Sequence, residues 1–207
     1  MNVQLTPSDR IKQKSARRSL IILACVFAIP YGAAFYLFYG DDIASSLGTS
    51  NKGQLVSPMK TMKAMSFKNI NDDAEVTLDF TGGWTMLTLA PSNCDIECTD
   101  NLYAIKQVRR AVGVDRRDIK RIMLLTDQDN ITELKTIVGD FNGMDILTTS
   151  DENLAELQQF LQIDGQSLKN AMFLIDAKGN YMMYYGTSTH PKLMLKDMLL
   201  LLKVSKH

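Results

Sequence analysis

Two regimes of hydrophobic patterning divide this chain. Leu20 to Tyr39 reads LIILACVFAIPYGAAFYLFY, 20 positions without a charge. At ~1.5 Å per residue a helix of that length crosses a bilayer. Pro30 and Gly32 are tolerated in such helices, and Tyr31, Tyr36 and Tyr39 suit an interfacial belt. Beyond residue 63 the pattern becomes a series of short periodic segments. Ser66–Ile70 and Glu75–Phe80 alternate around Asn71-Asp72-Asp73 and predict a hairpin. Trp84–Ala90 is an apolar strand, and Ile119–Thr126 carries a solid run that predicts burial on both faces of a parallel sheet. Asp145–Thr148 is a short strand. Ala171–Asp176 and Asn180–Tyr185 form a second hairpin around Ala177-Lys178-Gly179. Helical spacing marks Thr99–Val112, Asp129–Phe141, the stretch from Ser150 through Leu161, and Pro191–Val204.

Charge orients the long apolar segment. Basic and acidic residues balance at 23 each, yet residues 1–18 hold Arg10, Lys12, Lys14, Arg17 and Arg18 against Asp9 alone. That tail is +4, which leaves −4 on the remainder. Basic residues before the span, with Asp41 and Asp42 after it, predict a cytoplasmic amino terminus and an exported body. The apolar run is too long for a signal-peptide core, so an uncleaved anchor is the favoured reading over a cleaved signal. A mildly acidic body argues against nucleic-acid binding. The expected organisation is a basic tail over 1–19, an anchor over 20–39, a linker over 40–63 and a folded domain over 64–207. The linker is read from Ser45, Ser46, Gly48, Thr49, Ser50, Asn51, Gly53 and Pro58, which interrupt any apolar period.

Chemistry concentrates at two cysteines. Cys25 lies in the span, where a small apolar residue is unremarkable. Cys94 and Cys98 follow the strand Trp84–Ala90 and precede a helix. Helix-first amides there stabilise thiolate, the form that exchanges disulfides and binds soft metals. Asp95 and Glu97 oppose that effect, since a carboxylate disfavours a second negative charge. Cys94 is the expected nucleophile. In an exported domain the same pair could instead form a structural disulfide, but a loop this short yields little chain-entropy stabilisation, which favours redox or metal use. Both uses stay open.

The segment from about Phe67 to Lys203 resembles the Sco/SenC branch of the thioredoxin superfamily. The resemblance rests on the anchor, the hairpin Ser66–Phe80, the strand Trp84–Ala90, Cys94-x-x-x-Cys98, Phe173-Leu-Ile-Asp-Ala-Lys-Gly179 and Tyr184-Tyr-Gly186. Asn51-Lys-Gly-Gln-Leu-Val-Ser-Pro58 is similar to a shorter bacterial group found beside oxidase subunits. The implied fold is α/β and thioredoxin-like, a central mixed sheet flanked by helices, with an amino-terminal transmembrane helix. The implied work is assembly of cytochrome c oxidase at a bacterial inner membrane, with a periplasmic carboxyl-terminal domain acting on subunit II or other oxidase subunits. The family's copper site uses two cysteines and a histidine. Cys94 and Cys98 match it, but Asp164-Gly-Gln-Ser-Leu-Lys-Asn170 holds no histidine, and Thr99 replaces a common proline.

A third copper ligand would have to come from His190, in Gly186-Thr-Ser-Thr-His190-Pro191; an ordinary helix-start histidine is the plainer reading. His207 is terminal. Met59, Met62 and Met65 recur near the linker as candidates for a transient copper path, whereas Met86, Met123, Met172 and Met198 read as core. Asp127 and Asp129 at a strand end are explained equally by capping. Arg109-Arg110 and Arg116-Arg117 read as solvated faces, with docking to an acidic partner as the lesser reading. The favoured enzyme reading is a thiol–disulfide oxidoreductase. A non-catalytic docking subunit of the oxidase and a general redox protein are the alternatives.

Overall fold

Every strand that the apolar runs predict joins one sheet, and residues 54–61 of the segment read as a linker join it too. The computed structural model describes residues 7–39, 51–187 and 189–205, without the side chains of 7–16, 33–34 and 36–39. The chain divides into two units, residues 1–50 and 51–207. In the first, α1 runs Pro7–Tyr39 with Pro30 inside it. Among the described residues no helix is long and apolar enough to cross a membrane. The continuous described side chains of α1 cover only residues 17–32. Residues 40–50, and with them Asp41 and Asp42, lie outside the described residues, as does His207.

In the second unit the order is β1 (Gln54–Thr61), β2 (Met65–Asn69), β3 (Glu75–Leu78), β4 (Trp84–Ala90), α2 (Ile96–Ala111), a 3-10 turn (Gly113–Asp118) and β5 (Ile119–Leu125). Then follow α3 (Ile131–Val138), β6 (Asp145–Thr148), α4 (Asp151–Leu161), β7 (Met172–Ile175), β8 (Asn180–Tyr185) and α5 (Pro191–Ser205). The sheet order is β1-β8-β7-β4-β5-β6-β2-β3. The pairs β4/β5 and β5/β6 are parallel; the neighbours of β7 and β2 run antiparallel. This is the mixed α/β sheet that the alternation of elements predicts.

Solid apolar runs sit where both faces are covered. All seven residues of β4 are buried, and all of β5 except Lys120. Met86 and Ala90, with Ile119 and Met123, pack against Leu102, Ile105, Leu134 and Met198 of α2, α3 and α5. Leu87, Leu89, Ile122 and Leu124 pack on the other face with Leu157 and Leu161 of α4. The two-residue period of a strand feeds both cores at once.

The linker reading fails at β1, which pairs antiparallel with β8. Most of its side chains are exposed, so it carries no apolar period to detect. Pro58 is admissible because β1 is an edge strand. Its start is fixed by Asp197 of α5, which is 1% exposed and accepts from Lys52 N and Gly53 N at 2.8 Å each. Gly53 is required for close approach: a Cβ there would lie 2.6 Å from the Tyr185 ring. Of the three methionines proposed for a copper path, Met62 is buried beside Phe67 and Phe80, while Met59 is 61% exposed.

Candidate functional site

The loop 91–95 carries β4 into α2 and is held from two sides. Ser92 donates its hydroxyl and its amide to the Asp127 carboxylate, and Asn130 N donates to Ser92 Oγ at 3.0 Å. Thr126 N also donates to Ala90 O at 3.0 Å, so the ends of β4 and β5 are tied together. Helix α2 begins three residues before the expected Thr99, because Asp95 caps it by accepting from Cys98 N at 2.9 Å. Cys98 therefore lies in the first helical turn and Cys94 just ahead of it.

The two cysteines are joined in a disulfide with Cα atoms 5.2 Å apart. Both cysteines are buried. Cys94 is 7% exposed and Cys98 1%, and both belong to the core that includes Leu102, Met194 and Met198. They remain at the helix opening, with Thr99 Oγ1 3.9 Å from Cys94 Sγ.

Two residues before β7 latch this turn. Lys169 Nζ pairs with Asp95 Oδ2 at 3.2 Å, and Asn170 Nδ2 donates to Glu97 Oε2 at 3.4 Å. Asn170 is fully buried at φ +55, and its amide donates to Leu89 O at 2.8 Å. Asn tolerates that left-handed conformation better than most residues. Behind the turn, Asn101 Nδ2 donates to Thr88 Oγ1, which donates to Ala171 O, linking α2, β4 and β7. Sequence reasoning missed Ser92, Lys169 and Asn170. The one local signal was a polar Asn immediately before an apolar strand. A cavity of about 350 Å³ opens beside the loop, lined by Pro91, Asn93, Thr126, Gln158, Leu168 and Lys169 among others.

Charge near the sulfurs is negative but compensated. The Cys98 amide, then Lys169, holds the Asp95 carboxyl below its ordinary 3.8. At Asp127 desolvation pushes upward, and hydrogen bonds from Ser92 and Asp129 outweigh it, so that carboxyl too is held low. A depressed folded pKa means stability present above the ordinary value and lost as pH falls through the lower folded one. Urea midpoints should therefore drop as pH falls below the ordinary carboxylate value of 3.8, and Asp127→Asn with Asp95→Asn should flatten that drop. An unchanged acid slope in the double variant would remove these carboxyls from the account.

The structure does not bring His190 to Cys94 and Cys98. His190 is exposed, and its Nδ1 accepts from Lys192 N at 3.2 Å, capping α5. Among the described residues no three of His, Cys, Asp and Glu converge to hold a metal ion. The two-cysteine, one-histidine copper site does not fit these residues: the sulfurs bond each other, and among the described residues reduction would free two thiols without a histidine beside them.

Comparisons with known proteins agree with the architecture. Residues 84–205 match the family model described as transmembrane-like, thioredoxin-like, C-terminal domain. Apo Sco1 from Thermus thermophilus superposes with TM-score 0.59 at 15% identity, over 74% of this chain and 99% of that one. Copper-bound ScoI from Bradyrhizobium japonicum gives 0.54 at 18% identity, over 67% of this chain and 98% of that one. BsSco, described as a member of the Sco family of cytochrome c oxidase assembly proteins with a disulfide switch, gives 0.53 at 18%, over 70% and 95%. No curated protein matches by sequence. With 84–205 matched, the chain belongs to the transmembrane-like, thioredoxin-like C-terminal domain family, and its fold is the Sco/SenC form of the thioredoxin scaffold.

Proposed function

We propose that this chain is a thiol–disulfide exchange protein serving cytochrome c oxidase assembly. The observation that carries the reading is the Cys94–Cys98 disulfide at the opening of α2, latched by Lys169 and Asn170. In the reduced chain the Cys94 thiolate attacks a disulfide in the partner. One partner sulfur leaves as thiolate and a mixed disulfide forms. Cys98 then attacks the Cys94 sulfur, releasing the partner dithiol and restoring the Cys94–Cys98 bond. A dithiol reductant must reset the pair. The Sco-type fold and the assembly role of BsSco support subunit II or another oxidase subunit as partner.

The anchor belongs to the same proposal. Leu20–Tyr39 lacks charge and is helical, and Leu20, Ile22, Phe27 and Ile29 are more than half exposed. A helix apolar on all sides suits lipid better than water. The inferred placement is a single span with a cytoplasmic amino terminus and a periplasmic domain. Copper binding stays a property of relatives such as the Bradyrhizobium protein. Anaerobic Cu(I) titration of the reduced chain should show no tight site that His190→Ala weakens.

One observation favours a non-catalytic docking role: Cys98 is 1% exposed, as in a structural bridge. The test is direct. Reduced chain is mixed with an oxidised peptide carrying the paired cysteines of an oxidase copper-site subunit. Stoichiometric transfer of the disulfide supports exchange. No transfer, with oxidase still assembled in cells carrying both cysteine variants, establishes docking instead.

A further inference from the structure

Away from the disulfide, where β5 begins, five cationic side chains line one cavity of about 360 Å³. Lys106, Arg109 and Arg110 come from α2, Arg116 from the 3-10 turn and Arg121 from β5. Arg121 occupies the inward face of its strand, between the core residues Ile119 and Met123, and is 4% exposed. Its Nη2 donates to Asn142 O at 2.6 Å, while its Nε has no partner among the described residues. Gly143, at φ +77, keeps the wall clear: a Cβ there would lie 3.3 Å from Arg121 Nη2.

The local acceptors do not cancel this charge. Arg109 Nε donates to Ile119 O at 2.8 Å and Lys106 Nζ to Asp140 O at 2.6 Å. Those are neutral carbonyls. Asp140 supplies the one carboxylate in the lining, and Asp145 favours the charge on Arg121 from nearby. Burial, then Arg109, opposes it. The described ion pairs, Lys68–Asp73 and Lys169–Asp95, lie elsewhere. A buried cation with a spare donor is costly where an apolar side chain of similar volume would pack.

We propose that this cavity binds a phosphate group, with buried Arg121 donating from within and exposed Arg110 and Arg116 closing over it. Phosphate is favoured over a carboxylate because guanidinium forks converge from three elements, and its several oxygens can accept from more than one fork. The group could reach the cavity on a soluble phosphoester or on a phospholipid head. This inference is independent of the disulfide chemistry.

The full chain in a maltoside detergent, which carries no phosphate, is titrated with inorganic phosphate at constant ionic strength. Thermal midpoint should rise saturably with phosphate and not with chloride. Arg121→Gln should weaken the response at least about tenfold, and Arg116→Gln, at an exposed position that leaves folding intact, about fivefold. Hydrogen exchange in nanodiscs then separates the sources. Slowing of segments 113–121 and 139–144 by phosphatidylglycerol without added phosphate identifies the lipid head; slowing only by added phosphate identifies a soluble ligand. A phosphate response no larger than that to chloride overturns the proposal. So does an undiminished response in Arg116→Gln, or stabilisation by polyglutamate in place of phosphate.

Discussion

Cys94→Ser is expected to abolish reduction of an oxidised copper-site peptide, while Cys98→Ser is expected to accumulate a mixed disulfide with it. The asymmetry follows from position. Cys94 precedes the helix and keeps 7% of its surface, whereas Cys98 sits in the first turn at 1% with its amide bonded to Asp95. A partner sulfur reaches the first more readily than the second. Without Cys98 nothing resolves the intermediate, so the covalent complex persists. Neither variant should unfold, because a bridge of sequence separation 4 contributes on the order of 2 kcal/mol by chain entropy. Non-reducing electrophoresis with mass spectrometry reads the outcome. A mixed disulfide formed by Cys94→Ser and not by Cys98→Ser would exchange the two roles.

Asp197→Ala should destabilise the domain by about 3–5 kcal/mol, as three lost bonds to a buried acceptor imply. Asp197 Oδ2 accepts from Lys52 N and Gly53 N at 2.8 Å and from Tyr185 Oη at 3.1 Å. Truncation leaves two backbone donors unsatisfied together and the Tyr185 hydroxyl with only the weak acceptor Met183 Sδ at 3.2 Å. Burial, with Asp197 adding to it, pushes the Tyr185 phenol above its ordinary value of 10, so it stays a protonated donor to Asp197. Hydrogen exchange should quicken over residues 52–61 before it does elsewhere, since among the described residues β1 is an edge strand paired with β8 alone. Asp197→Asn keeps one acceptor and should cost roughly 1–2 kcal/mol. A change below about 1 kcal/mol in Asp197→Ala would show that β1 is held by its ladder alone.

Elements dictated by local pattern were legible, and those dictated by distant partners were not. The run Trp84–Ala90 announces a strand and Ile119–Leu125 a buried parallel one, because each position is apolar or a small threonine, apart from Lys120 and Arg121. Asp145–Thr148 and Asn180–Tyr185 follow the expected bounds. Strand β1 hid because its register depends on β8 and its anchor lies 144 residues away at Asp197. Helix α2 starts early because Asp95, read as an opponent of thiolate, is also its cap. At the site, the cysteine pair and its strand–turn–helix setting were visible. Its burial was not, since Met194 and Met198 reach it from α5. The latch was equally hidden, because Lys169 and Asp95 stand 74 residues apart. Arg121, which no local pattern singles out, interrupts an apolar strand face and lines a cavity, while Arg110 and Arg116 keep the exposure first read for them.

Pulse alkylation of the full chain in membranes, read by mass spectrometry while oxidised copper-site peptide is added to the reduced protein, addresses the reactive pair most directly. Two alkylatable thiols at Cys94 and Cys98 should disappear in step with the appearance of two on the peptide. Thiols that stay alkylatable while the peptide stays oxidised, or a bridge that no dithiol can open in the folded chain, would contradict an exchange role.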